Sequence, residues 1–516
     1  MSDRTSRSGL RAPRLVAAVA ALLLAVGLGL APGVVVPAEA AAPAPAALPA
    51  GHTALNPTRQ AMTIKDTYLR SSPNWDSSAN IVVAVPANSW VTVLQTTRTW
   101  WQVKYGAYTG WIHGTVLKAG SYRPSTTTPP PPAVPSSFTF AGSGWGHGVG
   151  MSQYGARGQA AEGRTAAQIL NYYYAPAVTT GTTSYASSNI RVQLLHAGST
   201  TITPTNGRMR IYANGSYSTT RSAVTMKVSG SNVVLSGGVV TTAPAVTVRW
   251  ENTRFWTDGT ANTVVSVSGA DGGTSAGVYR HGQITVKPLN AKLNVVNELR
   301  LNDEYLYGLA EMPSSWHREA LKAQAIAGRT FAMRAMSALK ADCACNVYDE
   351  VRSQKFTGWK KEGEATYGAR WKDAVNRTLS RNSSGTPTSG TVVKYGSSLI
   401  EALYFSSSGG ATRNSESVFS GGAVPYLRSH KDPWSLSTAA ANPNRAWTQP
   451  VSQAKIASAF GLKDVAKVAY TKSSVDLAVV TITATSSSGA KASMTGTQMR
   501  SKLGLKSAWL TSVTPK

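Results

Sequence analysis

Glu311-Met312-Pro313-Ser314-Ser315-Trp316, followed through His317 and Arg318 by Glu319-Ala320-Leu321-Lys322-Ala323-Gln324-Ala325-Ile326-Ala327-Gly328-Arg329-Thr330-Phe331-Ala332, is the stretch on which the fold turns. Trp316, Ala320, Ala323, Ala327 and Phe331 recur at helical spacing, so a helix is expected from about Ser315 to Leu339. Pro313 suits the entry to that helix, and Ser314 or Ser315 can cap it. Small side chains on one face imply close packing against a neighbour, which makes this a buried scaffold helix. Glu311 then stands just ahead of a rigid helix start, a position from which a carboxyl can act as an acid. Two effects oppose each other there. The helix dipole favours the ionised form, whereas a general acid must keep its proton, so desolvation in a cleft has to win. The competing reading is that Glu311 only caps the helix.

Outward from this helix the chain is mostly extended. Residues 190–300 are rich in Val, Thr and Ser with many Gly turns, and residues 390–410 and 468–486 return to strand patterns. Gly142-Ser143-Gly144-Trp145-Gly146-His147-Gly148-Val149-Gly150-Met151-Ser152-Gln153-Tyr154-Gly155-Ala156 is a glycine-rich block without the Lys-Ser/Thr of a phosphate loop. After it, Thr165 and Gln168 have the spacing of a capping box and open a helix ending near Tyr172-Tyr173-Tyr174. The fold class is α+β: a mostly antiparallel β core with a few packed helices.

A second, smaller unit is expected at residues 56–119. Ile81–Val85, Trp90–Leu94, Trp101–Tyr105 and a strand from Gly110 alternate in the β manner, and short strands at this spacing point to a small all-β barrel. Residues 120–136, with four consecutive prolines, form a Ser/Thr/Pro-rich linker, and residues 137–516 form the main domain. Residues 1–40 read as a signal peptide: four Arg, an apolar run from Leu15 to Leu30, then Ala38-Glu39-Ala40 as the cleavage site. An uncleaved anchor is the alternative. Residues 41–55 are an Ala/Pro-rich flexible lead-in, and no later segment has the length and apolarity of a transmembrane span.

Net charge is +27 from 51 basic and 24 acidic residues, and removal of residues 1–40, with four Arg, one Asp and one Glu, leaves +25. Such a balance implies a polyanionic partner. Export argues against nucleic acid and for anionic wall polymers or acidic headgroups; a charge that serves solubility alone is the other reading. The only cysteines are Cys343 and Cys345, so neither a disulfide-dense scaffold nor a local Cys/His zinc set is available. In an exported chain the pair is expected to join as a small ring; free thiols and a zinc site remain the alternatives.

The helix stretch just quoted resembles the signature of the SpoIID/LytB family, which contains peptidoglycan lytic transglycosylases and amidase enhancers. Ser353-Gln354-Lys355-Phe356-Thr357-Gly358, Tyr404-Phe405-Ser406-Ser407-Ser408-Gly409-Gly410-Ala411-Thr412, Val418-Phe419-Ser420-Gly421 and Thr495-Gly496-Thr497-Gln498-Met499-Arg500 resemble its further blocks. The glycine-rich block at 142–156 is also a hallmark, here placed first, which implies a permuted order with residues 138–175 packing back onto the core. Residues 58–118 resemble a bacterial SH3 domain through Tyr68-Leu69-Arg70-Ser71-Ser72-Pro73, Trp101-Gln102-Val103-Lys104-Tyr105 and Thr109-Gly110-Trp111-Ile112.

The resemblance implies that Glu311 is the catalytic acid/base of a lytic transglycosylase, secreted or wall-associated, acting without a cofactor on peptidoglycan glycan strands stripped of stem peptide. An amidase partner follows from that substrate. His147, Gln153, Tyr154, Lys322, Gln324, Arg329, Gln354, Ser406, Ser407 and Ser408 are expected to line the sugar cleft, with Gln324 and Arg329 reaching it from the helix. Trp101, Tyr105 and Trp111 are expected to line a wall-binding groove in the small unit, or else to belong to its core. Some family members hold zinc near the cysteines, but the local histidines are absent here. A non-catalytic wall-binding protein or amidase activator is the alternative.

Overall fold

The structure, a computed structural model, describes residues 53–54, 59–75, 78–120, 134–270 and 275–516. The expected signal peptide, most of the lead-in and most of the linker lie outside the described residues. Two compact units result, divided at Thr126.

The first unit is one antiparallel sheet in the order Ile81–Val85, Thr67–Arg70, Tyr108–His113, Trp100–Tyr105, Trp90–Thr96, Gln60–Thr63, Leu117–Gly120, with Thr53–Ala54 also on Trp90–Thr96. Alternate side chains of these strands, among them Leu69, Val91, Val93, Val103 and Ile112, fill a single apolar core. The expected barrel is not closed. Leu117–Gly120 pairs only with Gln60–Thr63, and the two end strands of the order do not meet among the described residues.

The second unit is mixed α+β with mostly antiparallel sheets, as the residue pattern implies. A seven-stranded sheet runs Ser216–Thr220, Met209–Ala213, Val246–Trp250, Gln283–Leu289, Lys292–Arg300, Asn189–Ala197, Val347–Tyr348. Its main helices are α1 (Gln153–Ala161), α2 (Ala166–Tyr173), α3 (Arg318–Ala335) and α4 (Gly368–Asn376). The capping box at Thr165 and Gln168 is formed and starts α2. None of the helices among the described residues is long and apolar enough to cross a membrane.

α3 departs from its expected bounds. The residues Pro313 to Trp316 form a turn, with Trp316 N–H on the Pro313 carbonyl at 3.2 Å, and the cap is His317, whose side chain accepts from Glu319 N–H. Neither Ser314 nor Ser315 caps. At the other end the chain leaves the helix at Met336, short of Leu339. Nor is one face alone buried. From Ala320 to Met333 nearly every residue is inaccessible, because α1, α2, α4 and the strand Pro387–Tyr395 all pack on the helix. Alanine and glycine on several faces, rather than on one, permit that enclosure.

Residues 137–175 pack back onto the rest of the unit. Ser137–Ser143 is the central strand between Trp447–Ser452 and Trp509–Pro515, and Met151–Ser152 pairs in parallel with Tyr404–Phe405. At Gly150 φ is +79°, and a Cβ would stand 2.0 Å from the Leu403 carbonyl oxygen, so only glycine lets this parallel pair approach.

Candidate active site

Glu311 is placed by the connection that leaves the strand Lys292–Arg300 and passes through a wide helical turn at Leu301–Tyr305. The following residues pair with the segment 354–358: Leu309 bridges Phe356, and Ala310 N–H donates to the Lys355 carbonyl at 2.7 Å. Lys355 N–H in return donates to Glu311 Oε1 at 2.6 Å. From the other side, Gln153 at the start of α1 donates through Nε2 to the Glu311 carbonyl oxygen at 3.0 Å and to Gln324 Oε1 on α3 at 3.1 Å. Three parts of the chain thus fix the backbone and one carboxyl oxygen of Glu311.

The carboxyl also takes a hydrogen bond from the Tyr404 hydroxyl. That hydroxyl is oriented by a relay. Tyr305 donates through its hydroxyl to Gln354 Oε1 at 2.9 Å, and Gln354 Nε2 donates to the Tyr404 oxygen at 2.8 Å. With its oxygen occupied as acceptor, Tyr404 is left to donate its proton to Glu311. Burial, reinforced by the charge of Glu311, raises both tyrosines well above the usual phenol range, so both remain donors.

Burial raises the Glu311 carboxyl above the ordinary carboxylate range, against the Lys355 N–H, the Tyr404 hydroxyl and the Lys355 charge, all of which lower it. The helix dipole weighed in the sequence plays little part. α3 begins at Arg318, seven residues on, and the dipole's influence falls off within about one turn. A carboxyl with raised proton affinity then faces a depression of about 430 Å³, lined among others by Met312, Lys355, Lys361 and Glu364.

His147 reaches the same strand from the glycine-rich block. Its Nδ1 accepts from Val149 N–H at 3.1 Å, which leaves Nε2 to donate to the Tyr404 carbonyl at 3.1 Å. Burial, with Arg500 and Arg413 nearby, lowers its pKa to about 4, so the ring is neutral near pH 7. It holds the Tyr404 backbone, and the ring of Phe419 lies 5.5 Å from its own. A second depression of about 410 Å³ adjoins this place, lined by Leu403, Phe419 and Gly421.

The structure separates the other expected cleft residues. Gln153, Gln324 and Gln354 lie around Glu311, but as buried members of its hydrogen-bond support, not as open sugar ligands. The Tyr154 ring packs on Trp316 at 4.7 Å and its N–H donates to the Ser406 carbonyl. Arg329 does not reach a cleft. It is wholly buried, donating to Asn302 Oδ1 at 2.7 Å and the Thr391 carbonyl at 3.0 Å, and burial pushes its pKa down to about 9. Lys322 pairs with Glu319 at 2.9 Å, while Glu319 in turn accepts from Ala166 N–H and ties α2 to α3.

The serine cluster is also interior. Ser407 and Ser408 are wholly buried; Ser408 donates to Asp432 Oδ2 at 2.7 Å, and the Ser407 backbone bridges Trp145. Only Ser406 of the three retains partial exposure. The residues that the sequence reading passed over are Tyr305, Lys355 and Tyr404. Lys355 and Tyr404 stand inside quoted blocks, Lys355 next to Gln354 and Tyr404 at the head of the serine-glycine run, whereas Tyr305 lies ahead of the quoted helix stretch, where no local signal marks it.

In the first unit, Trp101, Val103 and Tyr105 alternate onto the core side. Trp111 pairs opposite Gln102, so it lies on the other face and does not complete one groove with Trp101 and Tyr105. Cys343 and Cys345 are joined by a disulfide packed against Val296 and Tyr348, which leaves no thiolate to hold zinc at that place.

A family model described as stage II sporulation protein, SpoIID, matches residues 289–381, a span that holds Tyr305, Glu311, α3, Gln354 and Lys355. Stage II sporulation protein D of Bacillus subtilis (strain 168) is 32% identical over 212 residues, 40% of this chain and 58% of that protein. The protein of the same description from Bacillus amyloliquefaciens is 30% identical over 258 residues, 48% of this chain and 69% of that protein. The amidase enhancer of Bacillus subtilis (strain 168) is 33% identical over 146 residues, 28% of this chain and 16% of that protein. The chain therefore spans little more than half the length of the first of these relatives.

Proposed function

The chain belongs to the stage II sporulation protein D family, and from that premise we propose that it is an exported lytic transglycosylase of peptidoglycan glycan strands, with Glu311 as its acid and base. The observation that carries the proposal is the Glu311 carboxyl, held by Lys355 N–H and Tyr404, raised in pKa by burial, and open to a depression. A single carboxyl suffices where the nucleophile belongs to the substrate, whereas hydrolases commonly use a pair. Glu364, the other carboxylate of the depression, lies 3.6 Å from the Lys361 ammonium.

The reaction balances within the sugar. Glu311 gives its proton to the glycosidic oxygen as the bond from that oxygen to muramyl C1 breaks, and the bonding pair stays on the oxygen. The muramyl C6 hydroxyl oxygen bonds to C1, and its proton returns to the Glu311 carboxylate. A 1,6-anhydro end and a free 4-hydroxyl result, and no water is consumed. Tyr404 steadies the carboxylate between the two proton transfers.

Incubation of the purified chain with peptide-stripped glycan, read by mass spectrometry, tests this. Anhydro-ended products that disappear in Glu311→Gln support it; hydrated ends, or products undiminished in that variant, refute it. The likeness to an amidase enhancer favours a second reading, in which the same surface binds wall polymer and stimulates an amidase without cleaving glycan. Stimulation of an amidase by Glu311→Gln as strong as by the wild type would favour that reading. In either case the first unit and the basic charge of the chain serve attachment to the wall and its anionic polymers.

A further inference from the structure

Beside Glu311 the depression is positive. Lys355, Lys360 and Lys361 line it, against Glu311 and Glu364. The three cations are not equivalent. Lys361 is buried; its ammonium donates to the Met312 carbonyl at 2.6 Å and faces Glu364. Lys360 is engaged with Ser275 Oγ at 3.1 Å. Lys355 is exposed, and its ammonium has no acceptor among the described residues, although its own N–H is the group that holds Glu311 Oε1. One residue thus anchors the acid through its backbone and offers an unused cation to whatever binds there.

We propose that Lys355 binds the free lactyl carboxylate of a peptide-stripped muramyl residue and so discriminates against muramyl residues that still carry a stem peptide. This rests on the glycan reading of the site. The chemistry fits the position. The lactyl ether sits on C3 of the same ring whose C1 is attacked, two bonds away, so its carboxylate falls within a lysine's length of the acid. An amide-linked stem peptide removes that charge and adds bulk at the same point. The pairing also acts on the acid: the Lys355 charge is one of the influences that lower Glu311, so a bound carboxylate offsets it and lets Glu311 keep its proton to higher pH. The substrate that fits would then strengthen its own proton donor.

The test measures binding without turnover. Calorimetric titration uses Glu311→Gln and the double variant Glu311→Gln/Lys355→Gln at pH 7 and low salt. The ligands are two glycan fragments of N-acetylglucosamine and N-acetylmuramic acid, one with free lactyl carboxylates and one with lactyl carboxamides. Glu311→Gln is expected to prefer the free acid by about fivefold, the scale of a partly exposed ion pair, with the preference fading as salt is added. The double variant loses the preference, and Lys355→Arg restores it. An equal affinity of Glu311→Gln for both fragments, a preference that survives Lys355→Gln, or binding of neither fragment overturns the proposal. Failure of the parent reading is separate. A Lys355-dependent preference without anhydro ends from the wild type leaves this subsite standing and removes the transglycosylase; anhydro ends without the preference do the reverse.

Discussion

Replacing Tyr404 with Phe removes one oxygen atom and two hydrogen bonds. Gln354 Nε2 loses its acceptor at 2.8 Å, and the Glu311 carboxylate loses a donor. Gln354 is wholly buried, so a stranded N–H there costs about 1–3 kcal/mol of stability, which urea denaturation reads as a lower midpoint. The second loss concerns chemistry. A hydrogen bond to a charged group is worth about 1.5–3 kcal/mol, so with the carboxylate less steadied between proton transfers, kcat on peptide-stripped glycan falls by roughly 10- to 100-fold. The pH profile gives the sharper signature. In the proposed mechanism activity requires protonated Glu311 and is expected to decline as pH rises through its pKa in the folded protein. Tyr404 favours the ionised form; its removal raises that pKa further and carries the alkaline limb of kcat/KM to higher pH. A variant that is slower at low pH yet holds its activity further into the alkaline range fits the relay. A limb that stays fixed or moves to lower pH refutes it.

Three further outcomes follow from the same geometry. Folded Glu311 binds its proton more tightly than the unfolded chain does, so its contribution to stability falls as pH rises between the two pKa values; on the proposed function Glu311→Gln is expected to abolish turnover and to gain stability over the wild type as pH increases, checked by denaturation midpoints from pH 4 to 8. His147, lowered to about 4 from 6.5, acts in the other sense: its full contribution is present above pH 6.5 and up to about 3 kcal/mol is lost as pH falls toward 4, a slope that His147→Gln removes. A Cβ at Gly155 would lie 2.0 Å from the Tyr173 hydroxyl and 2.4 Å from Asp432, so Gly155→Ala is expected to cost about 1–3 kcal/mol or more, seen as a lower thermal midpoint.

What the residues disclosed was largely what local chemistry dictates. The α+β class, the capping box at Thr165, the strand runs of the first unit and the scaffold character of α3 follow from periodicity and turn chemistry, which act over a few residues. What stayed hidden depends on distant partners. Arg329 looks from its place among alanines like a residue bound for the cleft, but Asn302 and Thr391 arrive from elsewhere and bury it. Ser407 and Ser408 look like sugar donors until Asp432, brought in from a later loop, takes one of them into the interior. Tyr404 passes unnoticed beside those serines because only the partnership with Gln354 turns its hydroxyl toward Glu311. The start of α3 was displaced for a more local reason: Pro313 serves a turn, and His317 is the residue whose side chain accepts from the free Glu319 amide in the first turn.

The strand Ser137–Ser143 has consequences for assembly. It opens the second unit, yet it lies between Trp447–Ser452 and Trp509–Pro515, both of which are made more than three hundred residues later. Pairings over such separations are slow to form, because most of the intervening chain must be ordered first. Gln153, which fastens the backbone at Glu311, is carried by the helix that follows this strand, so a chain without the strand Trp509–Pro515 presents an unfastened acid. On the proposed function, activity should therefore depend on the strand Trp509–Pro515, and chains cut short before Trp509 should accumulate as inert and protease-sensitive forms.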